Sequence, residues 1–435
     1  MLRRKIEAAF SQWKNRSVRN PLVVKGCRQC GKTSSVLAFA ERNYKHVIRI
    51  DFYQNPAYRS IFEGSLSVDD IIMKMTAFLG SAAAFEAENT VIVLDEIQEC
   101  PEARTALKFF QLDGRFDVIC TGSLLGISGY GQPKSVPVGY ETIIDMRPMD
   151  FEEFLWANGI AEETIAYLRG CIETATPVET ALHLRFRELF LQYAIVGGMP
   201  RAVQLFADTK RLNEVLEIQR GIIRDYRDDM LKYAPDSDKS KIVECFDSIP
   251  AQLAKENKKF MYSAVRKKGS ASKFEGSLQW MEDAGIISRC YNLNALELPL
   301  EGNADKSCFK VYMSDTGLFV SMLEDGTQSD ILTGNMNIYK GALYEALAAD
   351  CFVKAGRRLY YYKKDSGLEI DFAIRRNNKC VPVEVKASTG NAKSLKTVAA
   401  HEEKYHVSQA LKLGDYNIGS SGKITTMPLY AAAFL

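Results

Sequence analysis

Gly26-Cys27-Arg28-Gln29-Cys30-Gly31-Lys32-Thr33 decides the reading of the first third of this 435-residue chain. Ahead of it, Pro21-Leu22-Val23-Val24-Lys25 is a short β-branched run that reads as a buried strand. Behind it, Ser34-Ser35-Val36-Leu37-Ala38-Phe39-Ala40 reads as a helix. A glycine-rich turn between a strand and a helix points backbone N–H groups at one spot, and the helix adds its positive N-terminal end. The stretch Gly26, Cys27, Arg28, Gln29, Cys30, Gly31, Lys32, Thr33 and Ser34 is therefore expected to cradle the phosphates of a nucleoside triphosphate. Lys32 would reach the β- and γ-phosphates, and the Thr33 hydroxyl would ligate magnesium.

A second segment supplies the acids such a site needs. Thr90-Val91-Ile92-Val93-Leu94 is apolar throughout, as a strand buried on both faces of a parallel sheet must be, and it ends in Asp95-Glu96. Carboxylates there are costly unless they hold a cation or a water. Asp95 is placed to orient magnesium, and Glu96 to take a proton from the attacking water. Phe116-Asp117-Val118-Ile119-Cys120 reads as another buried strand, followed by Thr121-Gly122-Ser123. Ser123 could sense the γ-phosphate or position the water; equally, it could cap the next helix.

Bulk properties narrow the class. A chain of this length holds about two to four domains with ample core. The net charge of +2 gives no global basic field for nucleic acid, though it leaves room for a local patch. No apolar run approaches membrane-spanning length, and Met1-Leu2-Arg3-Arg4-Lys5 is not followed by a signal-peptide core. The ten cysteines are scattered apart from Cys27 and Cys30, which have no second pair to complete a zinc site, and the four histidines do not cluster. This pattern suits reduced thiols in a cytoplasm.

The α/β class extends over the chain in segments. Residues 1–155 alternate strand and helix, including Ile48-Arg49-Ile50-Asp51-Phe52, as a parallel-sheet domain does. Gly126 to Tyr140 reads as a mobile surface loop. Residues 156–235 form a helical segment broken at Gly197-Gly198-Met199-Pro200. Residues 236–330 give helices followed by a strand pair, which suits a winged-helix module. Residues 331–435 return to strands. In that last region Glu369-Ile370-Asp371-Phe372-Ala373-Ile374 alternates as a strand, Arg375 to Lys379 with Asn377-Asn378 reads as a hairpin turn, and Val381-Pro382-Val383-Glu384-Val385-Lys386 returns. Glu384 and Lys386 share a face, and pairing could bring Asp371 near them. Two carboxylates with an adjacent lysine suit divalent-metal phosphodiester hydrolysis, with Glu345 on the preceding helix as a further acid. A hairpin with a solvated charged face is the structural alternative.

In order along the chain, Gly26 to Thr33, Val91 to Gln98, Thr121-Gly122-Ser123 and Pro148-Met149-Asp150-Phe151-Glu152-Glu153-Phe154 belong to one series. Gly197-Gly198-Met199-Pro200, Asp225-Tyr226-Arg227-Asp228-Asp229 and Lys310-Val311-Tyr312-Met313-Ser314-Asp315-Thr316-Gly317-Leu318 continue it. Glu369-Ile370-Asp371-Phe372 with Glu384-Val385-Lys386 completes it. The series resembles bacterial and archaeal AAA-type ATPases that carry the C-terminal domain DUF4143. The resemblance implies a P-loop core, a helical segment, a winged-helix-like module and a fold similar to PD-(D/E)XK nucleases, in which Asp371, Glu384 and Lys386 match the nuclease core and Glu345 the helical acid. Where relatives often carry Gly-Arg before the Pro-Met-Asp-Phe segment, this chain has Gly139-Tyr140, so that arginine is missing. Arg28, Arg147 and Arg201 are alternatives.

Two function classes follow. One is a magnesium-dependent ATPase acting on DNA or RNA through a nuclease-like domain. The other is a nucleotide switch that contacts a protein partner or a second copy, with a C-terminal domain that does not catalyse. The acid–acid–lysine set favours the first. Near-neutral charge favours the second, although Lys267, Lys268 and Lys273 could form a basic edge.

Overall fold

The computed structural model describes residues 2–80, 83–123, 139–235, 237–255, 258–335, 340–387 and 391–435. They form two compact units. One comprises residues 4–147 with 283–285. The other comprises 1–3, 148–282 and 286–435. The segments expected at 156–235, 236–330 and 331–435 thus pack together, apart from 283–285, and the boundary lies at Arg147/Pro148.

The first unit is a five-stranded sheet of β1 (Leu22–Gly26), β2 (His46–Asp51), β3 (Thr90–Asp95), β4 (Asp117–Ser123) and β5 (Thr142–Met146), in the order β2-β3-β4-β1-β5. Every pairing is parallel. Helices α1 (Ile6–Lys14), α2 (Lys32–Asn43), α3 (Val68–Leu79) and α4 (Pro101–Asp113) accompany it. All six residues of β3 are buried, which is why that strand has no polar alternation. Separate apolar clusters form, one around Ile50, Phe52, Ile92 and Phe110, the other around Phe10, Trp13, Val24 and Phe39. Because β4 lies between β1 and β3, its end falls between the glycine-rich loop and the acidic pair: Gly26 aligns with Ser123, and Leu94 with Cys120. The stretch read as a loop from Gly126 to Tyr140 lies outside the described residues except for Gly139 and Tyr140.

In the second unit, helices Thr180–Val196, Pro200–Thr209 and Leu212–Tyr233 are followed by Lys239–Leu253, Tyr262–Val265 and Ala271–Asp283, the last reaching past this unit's edge at Glu282. Then β6 (Ile287–Leu293) and β7 (Ala304–Met313) pair antiparallel. The helix Lys340–Lys354 precedes β8 (Leu359–Lys363), β9 (Glu369–Ile370), β10 (Phe372–Arg376) and β11 (Lys379–Lys386). The helix Lys393–Ala400, β12 (Ala410–Gly414), β13 (Gly419–Ser421) and β14 (Ile424–Pro428) complete it. The sheets run β7-β6-β8-β9 and β10-β11-β12-β14-β13. The turn joining β10 to β11 has positive φ at Asn377 (47°) and Asn378 (58°), the tight hairpin that an Asn-Asn pair favours.

Motifs far apart in sequence meet inside this unit. The Met149 N–H donates to the Gly198 carbonyl at 2.7 Å, and the Gly198 N–H donates to Asp315 at 2.6 Å. Buried Lys354 lies 3.0 Å from both Asp315 and Asp350 and 2.8 Å from the Tyr193 hydroxyl. A Cβ on Gly197 would sit 2.1 Å from Asp315, and one on Gly198 would sit 2.0 Å from the Met149 carbonyl, so only glycine lets the chains approach. Asp150 caps the next helix in a reciprocal capping box with Glu153. The Pro-Met-Asp-Phe, Gly-Gly-Met-Pro and Asp-Thr-Gly-Leu segments therefore act together in the fold, tying three parts of the chain around one buried lysine.

Candidate functional site

The loop between β1 and α2 is shaped by three positions. Gln29 and Gly31 take positive φ, at 64° and 94°. Gly26 packs so closely that a Cβ would lie 2.2 Å from the Met146 carbonyl. Gly31 is the N-cap of α2, and no side chain caps that helix, so its first N–H groups are left for a ligand. Buried Lys32 folds back over the loop and donates to the carbonyls of Gly26 (3.1 Å) and Cys27 (2.9 Å). Cys27 and Cys30 are buried and not joined in a disulfide. Hydrogen bonding to Cys27, helped by the charges of Lys32 and Arg4, outweighs burial and lowers the Cys30 thiol to about 6.

The acids arrive from β3. Thr33 donates to Asp95 Oδ1 at 2.8 Å, joining the two groups read as magnesium ligands. Thr121, from β4, bonds the same oxygen. Asp95 Oδ2 accepts from Arg49 Nη2 at 2.8 Å, and Arg49 also reaches Asp51 at 2.7 Å. Glu96 follows in the left-handed region (φ 55°, ψ 51°), which turns its side chain out of the strand, and Gln98 bonds it. A hydroxyl beside a carboxylate, next to an uncapped helix start, fits a hydrated magnesium with the phosphates of a nucleotide. Ser123 ends β4 beside Gly26 in register and is half-buried. Of the alternative arginines, Arg28 is an exposed loop residue and Arg201 belongs to the other unit. Burial lowers the pKa of Arg147, whose carbonyl accepts from Arg4 at 2.8 Å. Sequence reasoning missed Arg49. Its signal was an arginine two positions before an acid on a strand paired with β3.

The C-terminal candidates are arranged differently. Asp371 sits between β9 and β10 and accepts from the Val385 N–H at 2.8 Å. Burial, with the nearby charge of Glu345, raises its carboxyl to about 7. Glu384 receives Lys386 at 2.6 Å and the Leu395 N–H at 3.0 Å, so it also anchors the start of helix Lys393–Ala400. The hairpin thus does place Glu384 and Lys386 on one face with Asp371 at its edge. Glu345 is otherwise engaged: Lys310 reaches it at 3.0 Å, and Lys258 and Tyr312 also bond it. Burial would raise this carboxyl, but the two lysines hold it down at about 2. Lys310 also meets Glu369 at 3.0 Å. No group of three or more His, Cys, Asp or Glu side chains able to hold a metal occurs among the described residues. Of the set Asp371, Glu384 and Glu345 expected from sequence, Glu384 is paired with Lys386, and Glu345 with Lys310 and Lys258. Lys310 carried a legible signal, a lysine inside the apolar strand Phe309 to Met313. Lys258 carried none.

Comparison with protein families bears on the first site directly. Residues 18–155 match the model of the AAA domain. This region is an AAA-type ATPase domain. Beyond the AAA domain, residues 187–329 match a domain of unknown function, DUF8612, and residues 340–431 match another, DUF4143. No curated protein matches the chain by sequence. Among solved structures, the Walker-type ATPase PABY2304 of Pyrococcus abyssi is 14 % identical with a TM-score of 0.43, over 74 % of this chain and 96 % of that one. The ORC1 protein of Aeropyrum pernix in complex with DNA is 12 % identical with a TM-score of 0.29, over 77 % of this chain and 93 % of that one. The Cdc6p of Pyrobaculum aerophilum is 11 % identical with a TM-score of 0.24, over 76 % and 93 %. No helix among the described residues is long and apolar enough to cross a membrane.

Proposed function

We propose that this ATPase works as a magnesium-dependent nucleotide switch whose C-terminal fold resembles a nuclease but does not cut. Magnesium would be held by Thr33 and, through its water shell, by Asp95. It would supply charge neutralisation at the phosphates. Lys32 would leave the Gly26 and Cys27 carbonyls for the β- and γ-phosphates, Glu96 would accept the proton of the attacking water, and Ser123 would sense the γ-phosphate end. The succession of helix Lys340–Lys354, the β10–β11 hairpin, helix Lys393–Ala400 and β12 parallel to β11 supports a PD-(D/E)XK-like fold. Three helices followed by the β6–β7 hairpin support a winged-helix-like module.

The observation that carries the non-cutting reading is the pairing of buried Glu345 with Lys310 and Lys258, whose side chains are 2 % and 16 % exposed. The second reading, an ATP-controlled nuclease, rests on the Glu384–Lys386 pair beside Asp371. A panel of DNA and RNA substrates, with magnesium or manganese and with or without ATP, separates them. The switch reading expects ATP turnover and no cleavage. Cleavage by wild type that disappears in Asp371→Ala would establish the nuclease.

A further inference from the structure

Asp51 and Asp95 are direct neighbours across the β2–β3 pairing, a placement of like charges that is unfavourable unless something stands between them. Arg49 is that group. On the same face of β2 as Asp51, it bridges Asp51 Oδ2 and Asp95 Oδ2 through one nitrogen, at 2.7 and 2.8 Å. Its hold is incomplete, since its Nε is buried and finds no hydrogen-bond partner among the described residues. The side chain is also 37 % exposed, so it has room to leave. Asp95 meanwhile gives its other oxygen to Thr33.

We propose that Arg49 is a positioning residue of the ATP site that stands in for magnesium. In the metal-free site it balances the charge of Asp95 and keeps that carboxylate oriented toward Thr33. When the metal arrives with ATP, two positive groups compete for one carboxylate, and the guanidinium yields. The unused Nε–H and the released Nη–H groups are then free to turn to another acceptor. The proposal rests on the ATP-site reading above and gives that site an arginine from its own chain, on the strand next to the acidic pair.

The test is the magnesium dependence of ATP binding. A fluorescent ATP analogue is titrated against the full-length protein at increasing magnesium chloride, for wild type, Arg49→Ala and Arg49→Lys, with thermal melting as a check on folding. Removing the competitor should lower the half-saturating magnesium concentration by about two- to fivefold, the size of one charge contact near a surface. Arg49→Lys, which keeps the charge, should stay nearer wild type. A purely structural role would lower the melting temperature and leave the magnesium requirement unchanged or raised, and that result overturns the proposal. Should Arg49→Ala not fold, Arg49→Gln, uncharged and still long, gives the same readout. Failure of wild type to bind ATP at all removes the site reading and this inference with it. ATP binding with an unchanged magnesium requirement in the variant removes only the inference.

Discussion

The AAA domain and the C-terminal region each bury a carboxylate, Asp95 at the end of β3 and Glu345 on the helix Lys340–Lys354, and they differ in what stands opposite. Asp95 faces two hydroxyls and an arginine whose side chain is 37 % exposed. Glu345 faces Lys310, whose side chain is 2 % exposed, together with Lys258 and a buried tyrosine. Arg49 keeps contact with solvent although Asp95 is buried, whereas both partners of the Lys310–Glu345 pair are buried, and breaking such a pair costs about 3–5 kcal/mol. The count of acids therefore does not identify a metal site. On the reading proposed above, the exposure of the counter-charge does: the first site would open to a ligand and the second would stay closed.

The largest effect should come from opening the closed site. Glu345→Ala leaves Lys310 buried without its main partner and should destabilise the second unit by about 3–5 kcal/mol, read as a shift in its denaturant midpoint. A change below about 1 kcal/mol would show the lysines to be easily solvated, and the contrast would collapse.

At the first site, Lys32→Ala removes the charge now held on the Gly26 and Cys27 carbonyls and proposed to turn to the phosphates. A loss of about 2–4 kcal/mol in ATP binding or turnover is expected, measured by titration of labelled ATP and by phosphate release. Next in size, Glu96→Gln should retain ATP while turnover falls by roughly two orders of magnitude. Wild-type turnover in that variant would assign the base elsewhere.

The last effect is a pH dependence. Asp371 has a folded pKa of about 7, above its unfolded value, so the native state binds the extra proton. Its contribution therefore favours folding at low pH and declines as pH rises from about 4 to about 7. Asp371→Asn should flatten the stability profile across that window relative to wild type. Identical profiles would mean the carboxyl titrates normally and stands open to solvent.

What could be read from sequence follows the same division. The phosphate loop, β3 and the Asn377-Asn378 hairpin were legible because each is written in consecutive residues: glycine at a positive φ, an apolar run buried on both faces, asparagine in a tight turn. Strand β5 gave no such signal, since only Met146 of its five residues is buried. The pairings of Arg49, Lys258 and Lys310 escaped because their partners are distant in sequence, 46 residues for Arg49 and Asp95, 87 for Lys258 and Glu345, and 35 for Lys310 and Glu345. The same holds for Gly197, Gly198 and Asp315, which only the folded chain brings to Lys354 and Met149.

Calorimetric titration of the full-length protein with magnesium, with and without ATP, tests the central contrast most directly. The account predicts metal binding that appears only with ATP, is lost in Lys32→Ala and is unaffected by Asp371→Asn. Metal binding without ATP that Asp371→Asn abolishes would contradict it.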